Sequence, residues 1–226
     1  MKKVKEAPLF IHGLTLGSWH VPAFIVYTWL VMAILITLAL IVRSGLKEVP
    51  GGLQNFFELF IGGLKDFTVN TMGHHGMDYF ALIGTAAFFI LLSNLMGVIP
   101  GFESPTANLN TTAACALVVF TSTHVVGISK HGFHYFKHFM GPVLWLAPMM
   151  FFIEVIGHMA RPVSLSLRLF GNIRGEDLVV LILFMLVPLA IPSVMLGLAV
   201  FTSVVQTFVF VLLTMLYISG AMEEAH

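Results

Sequence analysis

VLWLAPMMFFIEVIGHMARPVSLSLRLFGNIRGEDLVVLILFMLV, residues 143–187, is one apolar segment that nonetheless carries Glu154, Arg161, Arg168, Arg174, Glu176 and Asp177. As a continuous helix it runs about 67 Å at 1.5 Å per residue, roughly twice the thickness of a bilayer's hydrocarbon core. The segment is therefore expected to be strongly tilted, bent or broken, with Pro148 and Pro162 as bend points. Burying an ionisable group in lipid is costly, about 2.5 to over 10 kcal/mol for a central arginine depending on the measure. A chain that keeps several such groups is either pairing them or using them.

At 100° per residue, Glu154, Arg161 and Arg168 recur every seven positions and fall within about 40° of one helix face. Ser164 and Asn172 lie four residues either side of Arg168 on that face, with Gly157, Gly171 and Gly175 close to it. A polar, cationic face lined with small residues calls for close approach by a partner surface or by water. Two bland readings stand beside this one. Arg161 and Glu154 could neutralise each other within the bundle, and Arg174, Glu176 and Asp177 could form an ordinary cluster in a wet cavity. Arg168 resists such a reading, because no acid lies three or four positions from it. Its counter-charge must come from elsewhere in the chain or from another subunit.

Working outward, 58% of the 226 residues are hydrophobic and 10% charged, against about 25% charged in a soluble domain. Mean hydropathy is +0.96. The chain reads as an all-α integral membrane protein with about five transmembrane helices and one amphipathic surface helix, the last two spans long and tilted as a hairpin. The spans are residues 23–42, 80–99, 111–128, 143–187 and 193–220. Residues 53–72 mix Phe56, Phe57, Phe60 and Leu64 with Glu58, Lys65 and Asp66, the pattern of a helix lying on a membrane surface. Pro100, Gly101 and Pro105 mark a turn, as do Pro188 and Pro192. The first apolar run is too long for a signal-peptide core and no A-x-A site follows it.

Formal net charge is zero, so the footprint of a nucleic-acid binder is missing. Cys115 is the only cysteine, which excludes an intrachain disulfide and a cysteine-cluster metal site; it reads as a small packing residue. Arg43, Lys47, Lys65, Lys130 and Lys137 fall on one side of the membrane and Lys2, Lys3 and Lys5 on the other. The positive-inside rule then puts the amino end outside and the carboxyl end in the cytoplasm. In the last span Thr202, Ser203, Gln206, Thr207 and Thr214 supply polarity without charge, and Gln206 alone could serve as an ordinary interhelical hydrogen-bonding residue.

The run Ala160-Arg161-Pro162-Val163-Ser164-Leu165-Ser166-Leu167-Arg168-Leu169-Phe170-Gly171-Asn172 closely resembles the signature of subunit a of F-type ATP synthases. Val205-Gln206-Thr207-Phe208-Val209-Phe210 and Leu213-Thr214-Met215-Leu216-Tyr217-Ile218-Ser219 resemble that family's last helix. Asn94-Leu95-Met96-Gly97-Val98-Ile99-Pro100-Gly101 and Ser104-Pro105-Thr106-Ala107-Asn108-Leu109-Asn110 are similar to its bacterial form. The resemblance implies a multi-pass protein of the bacterial inner membrane, the stator of a rotary ATP synthase. It implies that Arg168 is the essential stator arginine, with Asn172 and Gln206 near it and Arg161, Ser164 and Ser203 as supporting polar groups. Glu154, Glu176 and Asp177 become candidates for lining two proton half-channels. The partners implied are a ring of c subunits, the b subunit of a peripheral stalk, the remaining synthase subunits and membrane lipid. No cofactor and no metal is implied. In some members an acid nine residues after the arginine works with a histidine seven before the glutamine. Here the acid is Asp177, or Glu176 if the turn is one residue shorter, and the histidine position is Ala199.

Two other readings compete. Ten histidines raise a haem or metal protein, for which His124 and His158 lie near span interiors; His131, His134 and His138, and the adjacent His74 and His75, are the other groupings. A secondary transporter could use Arg168 to bind an anionic substrate, although the spans show no inverted repeat. No G-x-x-x-x-G-K-[ST] motif is present, so ATP chemistry belongs to other subunits.

Overall fold

The computed structural model describes residues 14–16, 19–99, 101–132, 147–186 and 190–222. Lys130–Lys137 lies mostly outside these, as do His134, His138, Pro188 and the tail acids Glu223 and Glu224. The fold is the all-α membrane architecture expected, preceded by one short antiparallel hairpin, β1 (Leu14–Leu16) with β2 (Trp19–Val21).

Helix α1 (Ala23–Ser44) starts after Pro22, whose extended backbone serves as the cap, and ends with Arg43 in its last turn, where a cation complements the helix dipole. It packs on the rest of the chain mainly through Tyr27 and Val31, which cluster with Met96, leaving Ile36, Leu40 and Ile41 exposed. That is the surface expected of a helix facing lipid. Helix α2 (Gly52–Met72) stops at Gly73, whose φ of 71° is readily reached only without a side chain. A 3₁₀ segment, His74–Tyr79, then feeds α3 (Phe80–Val98). Helix α2 packs against α3, with Phe60 against Phe88 at 4.9 Å, and against the last helix, residues 190–222, through Phe67 and Phe208 at 5.0 Å. Lys65, Asp66 and Glu58 remain exposed, as do Leu53, Phe56 and Leu59. Helix α4 (Leu109–His131) is capped by the Asn108 side chain, which accepts from the Asn110 amide at 2.9 Å, and is closed by Gly132 at φ 54°.

Helix α5 (Ala147–Leu186) is a single helix of 40 residues that runs through Pro162. Of the three expectations, tilted, bent or broken, the break is not made, and a helix about 60 Å long is retained. Helix α6 (Ala190–Met222) returns antiparallel to it. It begins before Pro192, so that proline sits in the first turn, where its missing N–H is no loss, rather than in the connecting turn. Among the described residues four helical stretches are long and apolar enough to cross a membrane: Ala23–Ser44, His74–Val98, Leu109–Lys130 and Val194–Met222. Helix α5, expected as a fifth span, is not among them, because its charges interrupt every long apolar window. Helix α4 packs on α5 and α6, and α3 on α6. Their common core holds Ile90, Val119, Leu165, Leu169 and Phe210, with Cys115 packed at its edge.

Candidate functional site

The α5–α6 hairpin is pinned by three polar contacts in one antiparallel register. The guanidinium of Arg161 lies 5.5 Å from the Tyr217 ring centroid, a cation–π contact. Asn172 Nδ2 donates to Gln206 Oε1 at 2.6 Å, and Thr202 Oγ1 donates to Glu176 Oε2 at 2.8 Å. The same register sets Phe210 across from Arg168. Phe210 is wholly buried, whereas Arg168 is exposed and turned away from the bundle. Among the described residues Arg168 makes no ion pair and no hydrogen bond. Ser164, Gly171 and Asn172 are exposed beside it, as are Gly157 and Ala160 further along, and nothing stands within 4 Å of a Cβ built on Gly157, Gly171 or Gly175. The small-residue face is thus open, with one cation at its centre.

The seven-residue stripe read from the sequence splits in three dimensions. Arg168 points outward, while Arg161 turns to Tyr217 and Glu154 turns to His158, 3.3 Å from its Nδ1. Arg161 and Glu154 do not pair with each other among the described residues, because each finds a nearer partner. The gradual rotation of a 3.6-residue helix against a spacing of seven allows this divergence.

Two polar cavities flank Arg168. One, of about 90 Å³, lies between α3, α5 and α6 and is lined by Asn94, Gly97, Glu176, Asp177, Ala199 and Ser203. Both candidate acids therefore open on one space. Glu176 Oε1 is buried there without a hydrogen-bond partner among the described residues, a group that calls for water. Ala199 contributes only a methyl group to the wall, and Thr202 bonds Glu176 instead. The other cavity, of about 160 Å³, lies between α4, α5 and α6 and is lined by Thr123, His158, Arg161, Leu216, Tyr217 and Gly220. Roughly 10–15 Å³ suffices for one water, so both spaces can be wet. Along α5, Glu176 of the first and Arg161 of the second lie about 12 and 10 Å from Arg168. Between them sits the dry layer of Leu165, Leu169, Ile173 and Phe210.

Sequence reasoning missed the network that shapes the first cavity. Thr106 Oγ1 donates to Asn94 Oδ1 at 2.6 Å, Ser104 Oγ donates to the Ser93 carbonyl at 2.8 Å, and Asn94 Nδ2 reaches the Ser203 carbonyl on α6 at 3.4 Å. A Cβ on Gly97 would stand 2.7 Å from Ser104 Cβ, so only glycine lets the 3₁₀ turn Pro105–Ala107 close against α3. An asparagine inside an otherwise apolar span was the available signal. His124 and His158 also meet, with ring centroids 5.6 Å apart and planes at 76°. Edge-to-face contact leaves no room for a macrocycle between them, and no cluster of metal-ligating side chains exists among the described residues.

The profile of the family described as ATP synthase A chain matches residues 25–219. The chain is 60% identical over 202 residues to ATP synthase subunit a of Geotalea uraniireducens, covering 89% of this chain and 88% of that one. It is 59% identical to ATP synthase subunit a of Trichlorobacter lovleyi and of Geobacter sulfurreducens, with the same coverage in each.

Proposed function

Since the chain belongs to the ATP synthase A chain family, and so is the stator subunit of an F-type synthase membrane sector, we propose that Arg168 and the two flanking cavities form its ion-transfer path. The observation that carries this reading is an exposed arginine, unpaired among the described residues, between two polar cavities with an apolar layer between them. Among the described residues an apolar layer separates a proton in one cavity from the other. It must leave through the open face at Arg168, onto a carrier that another subunit presents.

The carrier is a carboxyl group on each member of a ring of c subunits packed against α5 and α6. In lipid such a group is neutral, since burial disfavours the charged form, whereas beside a guanidinium the ionised form is favoured. Each carboxyl therefore arrives protonated, gives up its proton into one cavity while it faces Arg168, and is reloaded from the other after the ring turns. Arg168 also repels a second cation, which blocks a direct leak worth about 2.3 kcal/mol per proton per 100 mV. Asn172 and Gln206, bonded to each other one turn away, hold the two helices together where the ring slides past. Ser164 and Ser203 lend polarity to the face and to the cavity wall.

With the amino end outside and the carboxyl end in the cytoplasm of a bacterial inner membrane, the Glu176–Asp177 cavity opens outward and the Arg161–Tyr217 cavity inward. Helix α5 then lies strongly tilted, because about 60 Å of helix exceeds a 30 Å core, and α2 lies in the interface. A b subunit of the peripheral stalk anchors the assembly, and nucleotide chemistry stays with other subunits. A transporter of anionic substrates is not favoured, as family membership accounts for the same arginine.

The test is ATP-driven proton pumping in inverted vesicles, comparing the native complex with Arg168→Ala after both are shown to assemble. Loss of pumping with normal assembly is expected. Normal pumping would make the arginine structural and overturn the path.

A further inference from the structure

His158 of α5 lies at the boundary of the inner cavity, with its Nδ1 3.1 Å from the Glu154 carbonyl oxygen and 3.3 Å from Glu154 Oε1. His124 of α4 meets it edge to face and is itself held, with Nδ1 2.9 Å from the Phe120 carbonyl oxygen and its ring 4.2 Å from the Phe120 ring. Side-chain exposure falls from 33% at Glu154 to 9% at His158, so the pair steps from the edge of the bundle to its interior. An imidazole that donates Nδ1–H to a carbonyl has Nε2 as its acceptor atom. The groups facing it are Glu154 and Arg161 from α5, His124 from α4 and Tyr217 from α6.

We propose that His158 is a proton carrier of the inner half-channel, handing protons between the cavity at Arg161 and the Glu154 carboxylate, with His124 as its positioning residue. This refinement rests on the half-channel reading above. In the outgoing direction, Nε2 takes a proton from cavity water and the ring becomes imidazolium. It then releases its Nδ1 proton to Glu154 Oε1. The protonated carboxyl yields that proton to the inner aqueous phase, and the ring regains its first tautomer by exchange through cavity water. One proton enters, one leaves, and no charge remains behind. Pumping runs the same steps in reverse.

The experiment uses inverted vesicles carrying the whole complex, with Arg168→Ala beside His158→Ala and Glu154→Gln. Persistent pumping in Arg168→Ala would remove the parent reading, and the relay with it. With that control inactive, His158→Ala is expected to assemble and to pump about tenfold more slowly, a modest loss for a positioned proton-transfer group. Added imidazole, which fits the enlarged cavity, should restore most of the rate. Pyrazole, of the same shape but hardly protonated near neutral pH, should not. Glu154→Gln keeps a polar group beside the ring but takes up no proton, so it should slow pumping and flatten its dependence on inner-side pH. Native rates and a native pH profile in both variants would refute the relay while leaving the half-channels standing. Rescue of His158→Ala by both heterocycles, or by neither, would mean a packing role and refute it equally. If His158→Ala does not assemble, His158→Asn, which keeps a donor near the Nδ1 position but takes up no proton, replaces it, and native pumping in that variant would refute the relay.

Discussion

Replacing Thr106 by valine keeps the side chain's shape and removes only its hydroxyl. Thr106 is fully buried, and Oγ1 is the donor to Asn94 Oδ1 at 2.6 Å, with Ser104 Oγ also 2.6 Å away. Ser104 keeps the Ser93 carbonyl at 2.8 Å, so its loss is small. Asn94, 2% exposed, is left with an acceptor that water reaches poorly. A buried acceptor without its donor costs about 1–3 kcal/mol, and that is the expected destabilisation. Thr85→Val is the control, since Thr85 is exposed and bonds only the Ala81 carbonyl of its own helix; it should cost little. The assay is reversible unfolding of the solubilised protein in a mixed-micelle denaturant titration. Asn94→Leu and the double variant complete a cycle. Because both single changes break the same bond, the double variant should cost about 1–2 kcal/mol less than their sum, where independent sites add to within about 0.3–0.5 kcal/mol. Additive costs, or a Thr106→Val no worse than Thr85→Val, would refute the claim that this network ties the 3₁₀ turn to α3.

Arg168→Lys is expected to lose coupled pumping almost as fully as Arg168→Ala, because lysine is a compact, strongly hydrated charge without the planar fork; a lysine variant with normal coupling would sink the claim. Gly97→Ala drives a Cβ to 2.7 Å from Ser104 Cβ and should cost about 1–3 kcal/mol as overpacking. Gly63→Ala, which meets nothing within 4 Å, should be neutral or stabilising in the same titration. Glu176→Gln retains an oxygen for Thr202 yet takes up no proton, so vesicle pumping should fall several-fold, and further than in Asp177→Asn. The reverse order would make Asp177 the working acid.

Much of the architecture was legible because a bilayer imposes blunt rules. Every backbone group in lipid must be bonded within its own helix, so long apolar runs such as 23–42 and 80–99 could be read as helices directly. Arg168 was legible for the same reason. A cation in an apolar segment with no acid one turn away has no local explanation, and the residues around it form a long, specific motif. The course of α5 was less legible: Pro162 read as a bend point of a segment too long for one upright span, and α5 runs through it as one helix.

What periodicity alone determined was which residues share a side of a helix; what it left open was which neighbour each one meets. Glu154, Arg161 and Arg168 are equivalent by spacing, yet only Arg168 is left on the open face: Tyr217 of α6 takes up Arg161, and His158, itself set against His124 of α4, takes up Glu154. Likewise Glu176 and Asp177 cannot be ranked by counting along the chain. Only the register of α6 against α5 brings Thr202 to Glu176 and sets Asn94 from a distant span on the opposite wall. Hydrophobic patterning acts through each residue's own helix and is written in the sequence order. Pairing across helices depends on how three surfaces pack at once, and that is decided only when the tertiary structure forms.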